Sequence, residues 1–502
     1  MRRLLVSLLV LFCLVVAGCG GDDDSGSALG SALAFLPKDT PFAFVADTDV
    51  EGDQYKNVSS LIDKFPFGDQ VKSSIRGQLE QLGNGVDFND DVKPVLGNPA
   101  VLGAADTETV TGDESNYILA LQAKDQGALE DLVDKLDPKA MGEASGAKLY
   151  EEGDTDFAVK DDLFVIADNQ SQLKSALERA DGDDHFDEDA FDEALDGLPD
   201  GALMRLYVDV EGLLTSDPGS VDARKVKWIG ALRALGLTAT AKYDAVDVDF
   251  RLKTEGDLSD EDLPIAPGEE APPVIKREGE IGIGIRDLAH IVRFAENAGQ
   301  AIDPAGFGDY AQAKKTIDTQ LGVSLDDDLI GQMTGNVSAS VSIDGGFGVR
   351  AELKDPQAFR RTLTKVADVL PSFAEGAGFG TVGLSKPKAG QDFYALSQPD
   401  GDTVIFGVVD DVLVVANDAR RAGALASMEP DAVEGANGSV VVGADAEQLV
   451  NAILEEFGPA FGVPDLGGFG TGLLTRPLSD LNGYVNASTD ELRGKFTLNV
   501  EG

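Results

Sequence analysis

Apolar and polar positions along this chain fall into short runs of two different periods, and the runs recur twice in the same order. Residues 117–122 form an almost unbroken apolar run of strand length, followed by Lys124-Asp125. Behind them Leu129, Leu132, Val133 and Leu136 stand at helical spacing, which predicts a strand feeding an amphipathic helix. Residues 348–353 repeat the pattern: they lead to Lys354-Asp355, ahead of Phe359, Leu363, Val366 and Val369. The closest match pairs 161–168 with 410–417. In each, an Asp-Asp turn (Asp161-Asp162 or Asp410-Asp411) feeds an apolar strand, and Asp168 or Asn417 then stands where a helix N-cap is expected.

Two further pairs keep the order. Residues 85–92 correspond to 322–329, and 203–209 to 440–445, the latter read as strand into helix. Both series close on a ribbon of alternating polarity, at 238–252 and 482–500. Ordered matches with drifting offsets predict an internal duplication, with one copy over 35–262 and the other over 281–502. Between them, 263–280 holds Pro264, Pro267, Pro272 and Pro273 and reads as a proline-rich linker. Strands joined by tight Asp/Gly turns must pair antiparallel. The expected fold is therefore α+β: two tandem copies of an antiparallel-sheet unit with helices on one face, ferredoxin-like in flavour and related by a pseudo-twofold.

The N-terminus carries a different signal. Met1-Arg2-Arg3 precedes an apolar run over 4–16 and then Val16-Ala17-Gly18-Cys19, a basic segment, an apolar segment and a small-residue cleavage site. The run is shorter than the roughly 20 residues a permanent membrane helix needs. Cys19 in this setting resembles the lipobox of bacterial lipoproteins. That resemblance implies removal of 1–18 by cleavage between Gly18 and Cys19, and acyl chains (palmitate among them) on the Cys19 thiol. Two or three chains suffice for stable anchoring. Residues 19–34, in which Cys19 is followed by Gly20-Gly21-Asp22-Asp23-Asp24, read as a flexible tether. The expected location is the extracytoplasmic face of a cell membrane.

Charge narrows the partners. Lys plus Arg number 41 against 89 Asp plus Glu, a net −48, and loss of Arg2 and Arg3 with the signal segment brings it to −50. Such a surface repels nucleic acid and anionic membranes and favours solubility. The only cysteines are Cys13 and Cys19, and Cys13 leaves with the signal segment, which excludes an intrachain disulfide in the mature protein. Stability then rests on apolar cores, which a chain of this length with 43% apolar residues can supply.

Catalytic chemistry is sparse. His185 and His290 are the only histidines, so a serine triad, a Cys/His pair and an HExxH zinc site are unsupported. Gly279, Gly282 and Gly284, and Gly467, Gly468, Gly470 and Gly472, lack the βαβ context of a nucleotide loop and read as turns or close packing. Asp47, Asp49, Glu51 and Asp53 place oxygen atoms at alternate positions with Gly52 in the sixth, the first half of a calcium loop. Position 12 is Val58, where a bidentate Glu is expected, so Ca²⁺ is only a weak candidate cofactor. The acidic run 181–189 sits beside Phe186, Phe191, Ala194, Leu195 and Leu198 and reads as the solvated side of an amphipathic helix. Gly- and Phe-rich stretches at 373–380 and 457–470 could line an apolar cavity or pack into the core.

Several features together resemble the bacterial DUF3352 family: Leu36-Pro37-Lys38-Asp39-Thr40-Pro41 ahead of a strand, Gly52-Asp53-Gln54, the run from Asp90 to Gly97, and the run from Phe191 to Pro199 ahead of Tyr207-Val208-Asp209. The resemblance implies an envelope-associated, anchored protein and brings no catalytic residues with it. The expected function is that of a non-enzymatic lipoprotein that binds a protein or amphiphilic ligand, or has an envelope structural role. The alternatives are an amphiphile carrier and an enzyme using carboxylates or Ca²⁺.

Overall fold

Strands form where the apolar runs lie, and strand pairing is predominantly antiparallel. The computed structural model describes residues 25–70, 72–73, 85–111, 116–153, 155–268, 270–275, 280–342, 345–376, 382–387, 392–397, 403–433, 436–457 and 475–502. The chain divides into two units. Unit 1 holds the chain through Pro218, Leu232–Thr254 and Thr497–Gly502; unit 2 holds Gly219–Ala231 and Glu255–Phe496.

Unit 1 contains β1 (Phe42–Ala46), β2 (Ala100–Ala104), β3 (Tyr117–Gln122), β4 (Lys139–Ala144), β5 (Ala147–Glu152), β6 (Thr155–Lys160), β7 (Leu163–Ala167), β8 (Met204–Asp209), β9 (Leu232–Ala241) and β10 (Ala245–Thr254). They pair in the order β4-β5-β6-β7-β3-β2-β1-β8-β9-β10.

Helices cover both faces of this sheet, where one covered face was expected. On one face Ile118 and Ala120 of β3 and Val165 of β7 meet three helices: α1 (Ser25–Leu33), α3 (Gln170–Ala180) and α4 (Glu188–Leu195). On the other, Leu119, Leu121 and Ile166 meet Leu129 and Val133 of α2 (Gln126–Leu136). The reason lies in the strands: residues 118–121 of β3 and 163–167 of β7 are all apolar, so side chains leaving both faces must be buried.

Helix α1 corrects a second expectation. Within the segment read as a flexible tether over 19–34, the chain is helical from Ser25 to Leu33. Ala28, Leu29, Ala32 and Leu33 recur at helical spacing and are at most 4% exposed, against β2 and β3. The small residues between them give the composition of a linker, while the apolar stripe makes a core helix. Burying a leucine of this kind contributes about 1.5–3 kcal/mol.

Unit 2 contains β11 (Glu280–Arg286), β12 (Asn336–Ser342), β13 (Phe347–Glu352), β14 (Gly383–Ser385), β15 (Phe393–Ser397), β16 (Thr403–Val409), β17 (Val412–Ala416), β18 (Val440–Asp445), β19 (Leu478–Ala487) and most of β20 (Glu491–Val500). The order is β14-β15-β16-β17-β13-β12-β11-β18-β19-β20. Between β11 and β12 run α5 (Leu288–Ile302) and α6 (Pro304–Leu321), tied together by Lys314 Nζ to Glu296 at 2.7 Å. Val414 and Ala416 of β17 pack with Leu425 of α8 (Ala419–Ser427). Leu413 packs in a separate cluster with Phe359 and Leu363 of α7 (Pro356–Gly376).

The proline-rich segment 263–280, expected to be a linker, is part of this unit's packing. Leu263, Val274 and Ile275 are fully buried. An extended segment cannot satisfy its own carbonyls, so neighbouring donors do so. Ser338 Oγ donates to Pro273 O at 2.7 Å, and Ser439 Oγ donates to Ala266 O. Close approach depends on glycine: a Cβ on Gly282 would lie 2.3 Å from Ile275 O, and one on Gly284 2.7 Å from Pro273 O.

The expected N-caps are displaced by one residue in both units. Asn169 caps α3 through Gln172 N, and Asp418 caps α8 through Arg421 N. Asp168 and Asn417 instead reach sideways, accepting the N–H of Tyr117 at 2.9 Å and of Phe347 at 3.3 Å. A strand-end side chain that points at the neighbouring strand leaves capping to its successor.

Candidate functional site

The loop after β1 was the sequence's candidate calcium site, and its carboxylates serve the chain itself. Asp47 Oδ1 accepts the N–H of Asp49 at 3.1 Å, and Asp49 Oδ1 accepts that of Glu51 at 3.1 Å. These are Asx turns, which shape the loop ahead of the helix Asp53–Asp63. Glu51 is paired with Lys93 at 2.7 Å and Asp53 with Lys56 at 2.9 Å. Hydrogen bonding to Lys93 holds the Glu51 carboxyl below its ordinary range. A cation site needs its oxygens to converge, and these diverge to separate partners. Among the described residues no three His, Cys, Asp or Glu side chains gather to hold a metal ion.

The histidines are also structural. His185 forms an antiparallel bridge with Pro37, and its Nδ1 lies 2.9 Å from Gly182 O. The Nε2 of His290 lies 2.9 Å from Leu263 O, which makes it the donor to a buried carbonyl of the proline-rich segment. The acidic run 181–189 holds an ion pair from Lys160 to Asp181 and the N-cap Asp187 of α4. Phe186, Phe191, Ala194, Leu195 and Leu198 are buried beside it, as the amphipathic reading expected.

The polar groups that sequence reasoning missed are arginines. Arg205 of β8 is half-buried, its guanidinium carbon 5.6 Å from the centroid of the Phe191 ring. Burial lowers its pKa, opposed by the charges of Asp192, Asp47, Glu188 and Asp200. Burial in turn raises Glu188 and Asp192 above the ordinary carboxylate range. In unit 2, Arg286 donates to the carbonyls of Pro267 at 3.2 Å, Gly268 at 3.1 Å, Gly438 at 3.2 Å and also Glu270. Its five-donor fork suits a cluster of carbonyls that lysine could not serve. Arg421 of α8 is paired with Glu280 of β11, the two side chains 12% and 7% exposed. The signal that could have found Arg286 is a basic residue ending a glycine-containing strand next to a proline-rich stretch.

Cys19 and the cleavage position at Gly18, the glycines at 467–472, and most of the Gly/Phe stretches (377–380 and 458–470) lie outside the described residues. Among the described residues, no helix is long and apolar enough to cross a membrane. Gly282 and Gly284 permit close backbone packing within unit 2, as described above.

Comparison with known proteins adds a family. Crystal forms III and IV of TP0453 are similar at 12% identity, with TM-scores of 0.26 and 0.27, covering 45% and 46% of this chain and 80% and 83% of those. Crystal form I gives 11% identity and a TM-score of 0.25, covering 45% of this chain and 80% of that one. Likeness at this level carries no argument about fold or function. No curated protein matches. The profile described as "Protein of unknown function (DUF3352)" matches residues 4–372, most of the sequence, and the chain belongs to that family.

Proposed function

We propose that this protein is held at the extracytoplasmic face of a membrane by acyl chains on Cys19, and that its body has a non-enzymatic binding or envelope structural role. The observation that carries the reading is the order Arg2-Arg3, apolar 4–16, Val16-Ala17-Gly18-Cys19, which puts the chain's second and last cysteine at the position acylation requires. The local pairing of the Asp47 loop carboxylates supports the non-enzymatic part, because a catalytic or metal site would need such groups to converge. Growth with an alkyne palmitate analogue should label the parent and not Cys19→Ser; label retained on the variant would sink the anchor. Turnover of a cell-wall substrate that depends on one carboxylate would sink the non-enzymatic reading.

The body, in this proposal, is an internal duplication. Its support is the one-to-one correspondence of ten strands, β1 with β11 through β10 with β20, in the same pairing order. The turns before β7 and β17 add to it, since Asp161 and Asp410 share φ values of 56° and 49°.

A further inference from the structure

We infer that unit 1 meets a lipid surface on the side where helix α1 begins, and that chain length enforces this orientation. The inference rests on the proposed acylation of Cys19. Helix α1 opens at Ser25, and Leu29 and Leu33 within it are 2% and 0% exposed, so the chain is fixed to the core from its first turns.

Residues 20–24 are all that separate Cys19 from Ser25. At most about 3.6 Å is spanned per residue, so the two Cα atoms lie within about 22 Å of each other. Crossing the headgroup layer consumes roughly 5–8 Å of that reach. A folded unit of ~240 residues has a radius of gyration near 18 Å, hence a diameter of about 45 Å. The remaining reach is about a third of that diameter. The unit cannot turn its far side to the bilayer.

The near side is named by what α1 touches. It lies over β2 and β3 and beside α4, where the Glu188 carboxylate packs against Gly30. Helix α2 covers the opposite face of the same sheet and is held distal. The partner is a lipid surface low in anionic charge, because the near side of a mature chain of net charge −50 comes within about one Debye length (~8 Å) of the headgroups when it meets them.

The test uses the full acylated chain in phosphatidylcholine vesicles carrying dansyl-labelled headgroups. Trp228 is the only tryptophan, so Ser27→Trp and Asp131→Trp in a Trp228→Phe background report α1 and α2 separately. If Trp228→Phe does not fold, the parent's own transfer is subtracted instead. Stronger energy transfer from position 27 than from position 131 is expected. Inserting about 20 Gly/Ser residues after Asp24, with an r.m.s. span of about 25 Å, should abolish that difference. Equal transfer from the two positions with the native spacing, or a difference indifferent to the insertion, overturns the inference while leaving acylation standing. Failure of the parent to co-sediment with vesicles, together with absent palmitate labelling, overturns the anchor and the inference together.

Discussion

The carboxylate of Asp168 accepts the backbone N–H of Tyr117 at 2.9 Å, fastening the end of β7 to the start of β3 across 51 residues of sequence. In unit 2 Asn417 makes the same bond to Phe347 without a charge. Burial lifts the Asp168 carboxyl above its ordinary range, against the pull of the Tyr117 N–H. A raised carboxylate pKa means that the folded state binds the proton more tightly, so stability rises as pH falls through the folded value. Asp168→Asn is therefore expected to melt at or above the parent temperature near pH 8, with the gap closing toward pH 4. Thermal melts across that range check it. A variant several degrees less stable near pH 8 would show that the ionised carboxylate contributes net stability.

Helix α1 offers a sharper perturbation. Leu33 is fully buried, and Leu33→Ala should cost about 2–5 kcal/mol by chemical denaturation. A cost under about 0.5 kcal/mol, the range of an ordinary surface substitution, would mean that the segment behaves as the linker its composition suggests.

How far the sequence led depends on the kind of signal. The strand β7, read as 163–167, follows from an unbroken apolar run, and its hairpin turn follows from two aspartates. Residues 25–33 misled because Gly26, Gly30 and the serines dominate the composition, while four apolar residues at helical spacing determine the structure. Residues 263–275 misled in the same way: prolines mark an end to regular structure, but not whether the extended chain is solvated or packed. The Asp47 loop had ligand spacing. Spacing along the chain does not make side chains converge, and Lys93, which pairs with Glu51, is brought there only by the fold.

Packing of the proline-rich segment is testable by a pair of glycines. Gly282→Ala puts a methyl group 2.3 Å from Ile275 O and should destabilise by about 1–3 kcal/mol. Gly423→Ala, within α8 and with nothing within 4 Å of the new methyl, should stabilise by about 1 kcal/mol. Denaturant midpoints for the two variants moving in the same direction would contradict the packing described here.

The duplication has its own symmetric test. Asp161 and Asp410 adopt left-handed backbone at φ 56° and 49°. Glycine relieves that conformation at the expense of unfolded-state entropy, so Asp161→Gly and Asp410→Gly should each raise stability by up to about 1 kcal/mol. Gains of similar size at both positions fit the correspondence, and opposite signs would argue against it.

The interleaving of the two units has a consequence for how the protein is made. Gly219–Ala231 belongs to unit 2 while Leu232–Thr254 and Thr497–Gly502 belong to unit 1. Unit 1 contains both the earliest described helix and Thr497–Gly502, which is translated after the unit 2 residues that end at Phe496. Vectorial, domain-by-domain folding of the emerging chain is thereby denied a finished first product. The N-terminal residues of unit 1 must wait for Thr497–Gly502, and no single cut in the polypeptide yields both units whole.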